Sequence, residues 1–210
     1  MKTSRLAAVV VAVLLPLSAA CSSSQDIART DQTTSTSSTT PSGPTTPSVS
    51  VTSTPPDDGQ RLDGDGYSVA IPTGWVDITA ALKDKNPTLD IAMGESNPSG
   101  FRTNFNVVHG PSNQGTIESN GTAIRREAAS ELRSITHSAV QSLPDRTIDG
   151  EAAIGQTSTF LSSGKAVTFV QCLTIHNSKA YPVTMTFATE NAGSAIVLLQ
   201  QILSTWQWAS

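Results

Sequence analysis

The stretch from Lys165 to Thr189, KAVTFVQCLTIHNSKAYPVTMTFAT, decides the fold. It predicts two long strands, Lys165–His176 and Lys179–Thr189, because β-branched and aromatic residues dominate and only two residues separate the runs. A link this short joins neighbouring strands in antiparallel order. In the second strand Val183, Met185 and Phe187 share one face, as the two-residue period of a strand requires.

Working outward from this hairpin, the same patterns predict the rest of a folded part over residues 66–210. Four further strands are expected, at 66–71, Thr88–Gly94, Asn104–His109 and Ala153–Leu161. Two amphipathic helices are expected, the first over Asn120–Ala139 and capped by Asn120, the second over about Ala192–Ser204. Pro144 follows the first helix as a stop signal. About six antiparallel strands with two packing helices make an α+β sandwich.

Residues 1–20 have the features of a bacterial export signal. Lys2 and Arg5 precede an apolar run from Leu6 to Leu17, and small residues lead up to Cys21. About a dozen apolar residues suit a signal-peptide core and fall short of the ~20 that span a bilayer as a helix. We therefore expect cleavage and export rather than a transmembrane anchor.

Cys21 is the predicted site of a lipid anchor. The preceding small residues resemble a lipobox, in which the cysteine thiol carries diacylglycerol after processing, with palmitate among the expected acyl chains. Ser18 stands where leucine is usual, and Ser18 and Ala20 also suit the ordinary signal peptidase. A freely secreted protein of the same fold is therefore an alternative.

The second cysteine, Cys172, is predicted to be a small buried residue within a strand. Acylation of Cys21 leaves it without a partner. A disulfide between Cys21 and Cys172 is the alternative in an oxidising compartment.

Residues 21–65 form a predicted disordered tether rich in serine, threonine and proline. Its runs, such as Thr33–Thr40 and Pro41–Pro47, offer too few apolar side chains to offset the ~1–2 kcal/mol of backbone entropy that folding removes from each residue. The tether lets a folded head stand away from a membrane.

Charge excludes a nucleic-acid binder. The whole chain carries a formal net charge of -4, and residues 67–210 hold nine lysines and arginines against eleven acids. Neither value supports binding to a phosphate backbone.

No motif for catalysis or for a cofactor is recognisable. The histidines, His109, His137 and His176, lack metal-ligand spacing and are interpreted as surface or strand-end residues. Asp63–Gly66, DGDG, begins like a calcium loop but lacks the later ligands, and it is interpreted as the end of the flexible linker. We expect neither an enzyme nor a metal or other cofactor.

Three tryptophans, Trp75, Trp206 and Trp208, are the remaining candidate site residues. At strand ends they could line a groove between sheet and helix. Packing in the core or at its edge is the other interpretation, because tryptophan brings a large apolar area to a small domain.

The segment GYSVAIPTGW at Gly66–Trp75, the long helix, the paired long strands and the closing helix near tryptophan resemble the PsbP-like or Mog1-like fold. With its signal, lipobox and tether, the chain resembles the LpqN-type lipoproteins of mycobacteria and other actinobacteria. The resemblance implies a non-enzymatic domain in envelope assembly, protein association or lipid contact, and it supplies no catalytic residue.

From the sequence we therefore expect an extracytoplasmic protein attached to the membrane or envelope through Cys21. Its head is expected to be an interaction domain for an envelope protein. The alternative is a carrier that holds a lipid or glycolipid between sheet and helix.

Overall fold

The computed structural model describes residues 59–209, and these build three layers around one large antiparallel sheet. The strands are β1 (Arg61–Gly64), β2 (Tyr67–Ala70), β3 (Trp75–Asp77), β4 (Leu89–Glu95), β5 (Asn104–Val108), β6 (Gly110–Pro111), β7 (Val140–Ile148), β8 (Glu151–Ser162), β9 (Lys165–His176), β10 (Lys179–Ala188) and β11 (Gln207–Trp208). The helices are α1 (Thr79–Lys83), α2 (Ile117–Thr136) and α3 (Ala192–Ser204).

The large sheet has eight strands, with β3-β4-β5-β10-β9-β8-β7 in order and β6 paired to β10. A second sheet has the order β1-β2-β11. Every pairing is antiparallel, so the predicted α+β class is confirmed, and the sheet is larger than the six strands expected.

Opposite faces of the large sheet are covered by different elements. On one face, Cys172 and Val183 pack with Leu199 of α3 and with Tyr67 of the small sheet in the largest buried cluster. On the other face, Leu173 packs against α2, and a separate cluster lies beneath α1. Cover on both sides explains why β9 is buried from Val167 to Ile175, on both of its faces.

The hairpins follow the predicted turn chemistry. Positive φ angles of 50° at Ser163 and 78° at Gly164 join β8 to β9, and 48° at Asn177 and 59° at Ser178 join β9 to β10. Two successive residues with positive φ match the twist of the strands they connect. The predicted bounds of β9 and α3 are confirmed residue for residue.

The folded part begins earlier than predicted. Residues 61–65 were assigned to the tether, but β1 pairs with β2 along its whole length. Asp63 and Gly64 end β1, and Asp65 and Gly66 form its turn, so the interpretation of this segment as a linker end is wrong. The hydrophobic signal of β1 was weak because Leu62 is its one large buried side chain.

Helix α2 lies three residues N-terminal of its predicted position. Thr116 caps it, with its Oγ1 accepting the Ser119 N–H at 3.4 Å, and His137 ends it at a φ of 52°. Asn120 is not the cap: it sits inside the helix with φ −133°, at a kink, and its side-chain amide donates to the Gln114 carbonyl.

Two further expectations about strands are wrong. Pro144 does not lie in the connection after the helix but inside β7, at an edge position where its missing N–H costs no sheet hydrogen bond. Leu89 does not share a face with Ile91 and Met93, because the register shifts between Leu89 and Ile91 and turns Leu89 toward α1.

None of the helices within residues 59–209 has the length and hydropathy needed to cross a membrane.

Candidate functional site

The predicted site residues separate into one that lies outside the described residues and three that lie within them. Cys21 belongs to the undescribed part, so its acylation stays a prediction. Cys172 is a free thiol with 0% of its surface exposed, as expected of a core residue.

Two of the three predicted tryptophans come together with Tyr67. Trp206 is 3% exposed and stacks on the Tyr67 ring at 4.0 Å between centroids, and Trp208 lies 5.3 Å from Trp206. Trp208 is half-buried and also stacks on His176 at 4.2 Å. Trp75 packs partly buried against the same cluster from β3, and makes no ring contact with the other two among residues 59–209.

A groove of about 820 Å³ runs between α3 and the edge strand β7, within the usual range of ~300–1,000 Å³ for small-molecule sites. We call it the α3–β7 groove. Its apolar wall includes Leu143, Val170, Leu199 and Leu203. Trp206 is the one predicted tryptophan among its lining residues.

The edge strand opens this groove through a bulge. Between Leu143 and Arg146 the pairing of β7 with β8 shifts, so Pro144 and Asp145 stand outside the ladder. Gly155 faces the bulge, and a Cβ there would lie 3.0 Å from both the Leu143 Cβ and the Pro144 carbonyl oxygen. Arg125 of α2 fixes the bulge from behind by donating to the Gly155 carbonyl at 3.0 Å and pairing with Asp145.

Arg146 lines the groove from the edge strand β7. It pairs with Ala153, whose side chain belongs to the buried cluster beneath α3. Its Nε is buried without a hydrogen-bond partner, and no carboxylate of residues 59–209 forms an ion pair with it. Burial raises the pKa of the nearby Cys172 thiol, and the positive charge of Arg146 opposes that rise in part.

Trp206, which also lines the groove, has a second donor without a partner. Its indole Nε1 is buried and lacks an acceptor within the described residues. The indole N–H can only donate, so its partner must be an acceptor.

A separate ionic cluster fixes the turn between β1 and β2. Lys179 donates to Asp65 at 2.7 Å, Tyr181 donates to the Asp65 carbonyl at 3.0 Å, and the Asp65 N–H donates to Asp90 at 2.9 Å. The hydrogen bond from Lys179 lowers the pKa of the Asp65 carboxyl. His109 Nε2 lies 3.5 Å from Asp65, so this cluster joins the turn after β1 to β4, to the connection between β5 and β6, and to β10.

The other two histidines also have structural surroundings. His176 ends β9, and its Nδ1 lies 2.8 Å from Glu151 while its ring stacks on Trp208. His137 is the exposed left-handed cap of α2. Within the part of the chain that the structure describes, no group of three or more histidine, cysteine or acidic side chains is placed to hold a metal ion.

Comparison with known proteins identifies the fold. The chain matches no family model and no curated protein sequence. The solution structure of cyanobacterial PsbP from Synechocystis superposes with a TM-score of 0.54 at 14% identity, covering 71% of this chain and 91% of that one. The described residues have the PsbP-like fold.

Two other solved structures extend this comparison. LpqN of Mycobacterium tuberculosis, described as involved in cell envelope biogenesis, superposes with a TM-score of 0.53 at 12% identity, covering 73% of this chain and 87% of that one. The Ran-binding protein Mog1p of Saccharomyces cerevisiae gives 0.49 at 11% identity, covering 69% and 91%. At these identities the likeness of PsbP and LpqN establishes the fold alone.

Sequence reasoning missed Arg146, the residue that distinguishes the groove. Asp149-Gly150 is a strong hairpin signal, and it joins β7 to β8 with φ angles of 45° and 85°. This hairpin signal predicts a strand that ends just before Asp149, and such a strand contains Arg146. The position of Arg146 near Cys172 carries no sequence signal, because it depends on which face of the sheet α3 covers far along the chain.

Proposed function

We propose that this protein is a cell-envelope lipoprotein, attached through Cys21, whose residues 59–209 form a non-enzymatic binding domain. The α3–β7 groove carries the proposal of binding, since it combines an apolar wall with Arg146, a cation without an ion pair among residues 59–209. The export signal, the lipobox-like residues before Cys21 and the likeness to LpqN support an envelope location.

The surroundings of the three histidines support a role without catalysis. Each described histidine is committed to a turn, a cap or a stacking contact, as the preceding contacts show. Catalytic sites usually combine a nucleophile or metal with an oriented base. The favoured role is an interaction domain that presents its surface to an envelope protein.

Metabolic labelling with a fatty-acid probe tests attachment. We expect Cys21→Ala to abolish the label, whereas the matched control Cys172→Ala keeps it. Label that survives in Cys21→Ala contradicts attachment at this thiol. A mature chain in the culture medium with an unmodified Cys21 supports the freely secreted alternative.

The second candidate function is a carrier for a lipid or glycolipid. Ile196, which lines the groove from α3, is 40% exposed, and the neighbouring wall is aliphatic. An exposed apolar wall of this kind is costly unless something covers it.

Photo-crosslinking within living cells separates the two roles. A photoreactive residue at Ile196 is compared with one at Leu161. Leu161 is 76% exposed and lies near the C-terminal end of β8, away from the groove residues. A protein adduct specific to position 196 supports the interaction domain, and a small-molecule adduct supports the carrier. Equal labelling at both positions contradicts a role for the groove.

A further inference from the structure

Arg146 lines the α3–β7 groove without an ion pair among residues 59–209. Its Nε is buried and has no hydrogen-bond partner, the side chain as a whole is only partly buried, and aliphatic side chains wall the groove beside it. A hydrogen bond between arginine and an anion is stronger beside such a low-dielectric wall than in water. The groove therefore offers an anion a cation that no carboxylate of the described residues pairs with.

The acids closest in sequence do not neutralise this cation. Asp145 pairs with Arg125 on the other side of the bulge. Asp149 accepts the Trp208 backbone N–H at 2.8 Å and thereby fixes the last strand. Both carboxylates nevertheless line the groove, so they repel a ligand with a high negative charge.

Trp206 does not add a second donor for such a ligand. Its Nε1 has no acceptor within residues 59–209, but this N–H is shut off from solvent and therefore from a ligand in the groove. The ligand meets the donors of Arg146, whose guanidinium presents N–H groups in a planar fork. A carboxylate, with two acceptor oxygens and a single charge, matches that fork and balances Arg146.

The edge strand disfavours a peptide as the ligand. Adding a strand requires a continuous row of free N–H and C=O groups. Pro144 lacks an N–H, and the bulge after Leu143 interrupts the row. Recognition at this edge must therefore come from side chains and apolar contact.

We propose that the α3–β7 groove binds a long-chain fatty acid, with its carboxylate at Arg146 and its hydrocarbon chain along Leu143, Val170, Leu199 and Leu203. The inference rests on the carrier role of the groove given as the second candidate function. A phosphate monoester carries more charge than Arg146 balances, and the rim carboxylates of Asp145 and Asp149 oppose it.

Calorimetric titration tests the proposal with three probes of equal chain length. The protein is the exported chain with Cys21→Ser, which leaves the described residues unchanged, and the probes are myristate, its neutral methyl ester and tetradecyl phosphate. We expect myristate to bind at least tenfold more tightly than either of the others.

Variants identify the residue that recognises the charge. Arg146→Leu removes the cation but keeps an apolar side chain, and we expect it to weaken myristate at least tenfold while leaving the methyl ester within twofold. Arg146→Lys should retain part of the preference. The matched control Arg126→Leu changes an exposed arginine of α2 and should change nothing. Thermal unfolding of each variant verifies that the fold is kept.

The outcomes separate this inference from the carrier function. Equal binding of myristate and its ester, or tighter binding of the phosphate, overturns the carboxylate site while the carrier role stands. Binding of myristate that is unchanged in Arg146→Leu overturns it as well. Failure of all three probes to bind overturns both the inference and a carrier of single-chain lipids.

Discussion

At the scale of single residues, Gly155 sets the shape of the groove. A Cβ at this position lies 3.0 Å from the Leu143 Cβ and the Pro144 carbonyl oxygen, so an added methyl group must push the bulge away from β8. We expect Gly155→Ala to lower the free energy of unfolding by ~1–3 kcal/mol, the usual cost of overpacking. Gly193→Ala is the control, because no heavy atom lies within 4 Å of its Cβ and alanine favours a helix. Urea unfolding of both variants measures the difference, and equal stabilities contradict the role of Gly155.

Glu131 gives the protein a predictable response to pH. Burial, followed by repulsion from Glu127, raises the pKa of this carboxyl from its ordinary 4.5 to about 7. The folded state therefore holds the proton more tightly than the unfolded state. Its contribution to stability is present below pH 4.5 and is lost as pH rises toward about 7.

Replacing the carboxyl by an amide removes that loss. We expect Glu131→Gln to match the parent chain at pH 4 and to be ~1–2 kcal/mol more stable at pH 8, after allowance for solvent around a half-buried group. Urea unfolding across this range measures both. A stability difference that does not vary with pH contradicts a raised pKa at this site.

At the scale of elements, the first turn of α2 depends on a cap that the sequence did not identify. Thr116 Oγ1 accepts the Ser119 N–H at 3.4 Å, and Ser119 Oγ accepts the Thr116 N–H at 3.2 Å. We expect Thr116→Ala to cost ~1 kcal/mol of unfolding free energy. Thr122→Ala, at an exposed position inside the same helix, should be neutral or stabilising. Thermal unfolding distinguishes them, and equal melting temperatures contradict the cap.

Elements with strong periodicity were predictable, whereas short or edge elements were not. Strand β9 and helix α3 were predicted residue for residue, because a run rich in β-branched and apolar residues between two turns, and a clear helical stripe, each indicate one structure. Strand β7 was missed because it is mostly exposed and contains Pro144. From the sequence, only Trp206 could be named as a residue of the groove, because the opposite wall comes from β7, which was not predicted.

At the scale of the whole molecule, the boundary of the folded part is open to a direct test. Residues before Gly66 make three kinds of contact with the rest of the fold. Leu62 packs in the main core, the Gln60 carbonyl accepts the Ile71 N–H at 2.8 Å, and Asp65 pairs with Lys179. We expect a chain that begins at Gly59 to unfold cooperatively with urea. One that begins at Gly66 should lose several kcal/mol, given the buried leucine and the strand pairing removed.

The comparison of these two chains also has a clear negative result. Identical unfolding midpoints mean that β1 adds no stability and that the tether reaches Asp65, as first expected from composition. If a chain that begins at Gly59 fails to fold, residues before Gly59 are needed for folding, and this boundary is wrong.

Both ends of the described chain belong to the small sheet, in which β1 and β11 flank β2. Arg61 lies opposite Ala70 at one end of β2, and Trp208 lies opposite Tyr67 at the other, where the Ala209 N–H donates to the Gly66 carbonyl at 2.9 Å. A flexible loop of about ten residues from Ala209 to Gln60, long enough to run the length of β2, can therefore close the backbone into a ring. New ends opened at Ser163 and Gly164 leave every strand pairing intact, which makes this domain a suitable scaffold for circular permutation and for insertion into a host protein.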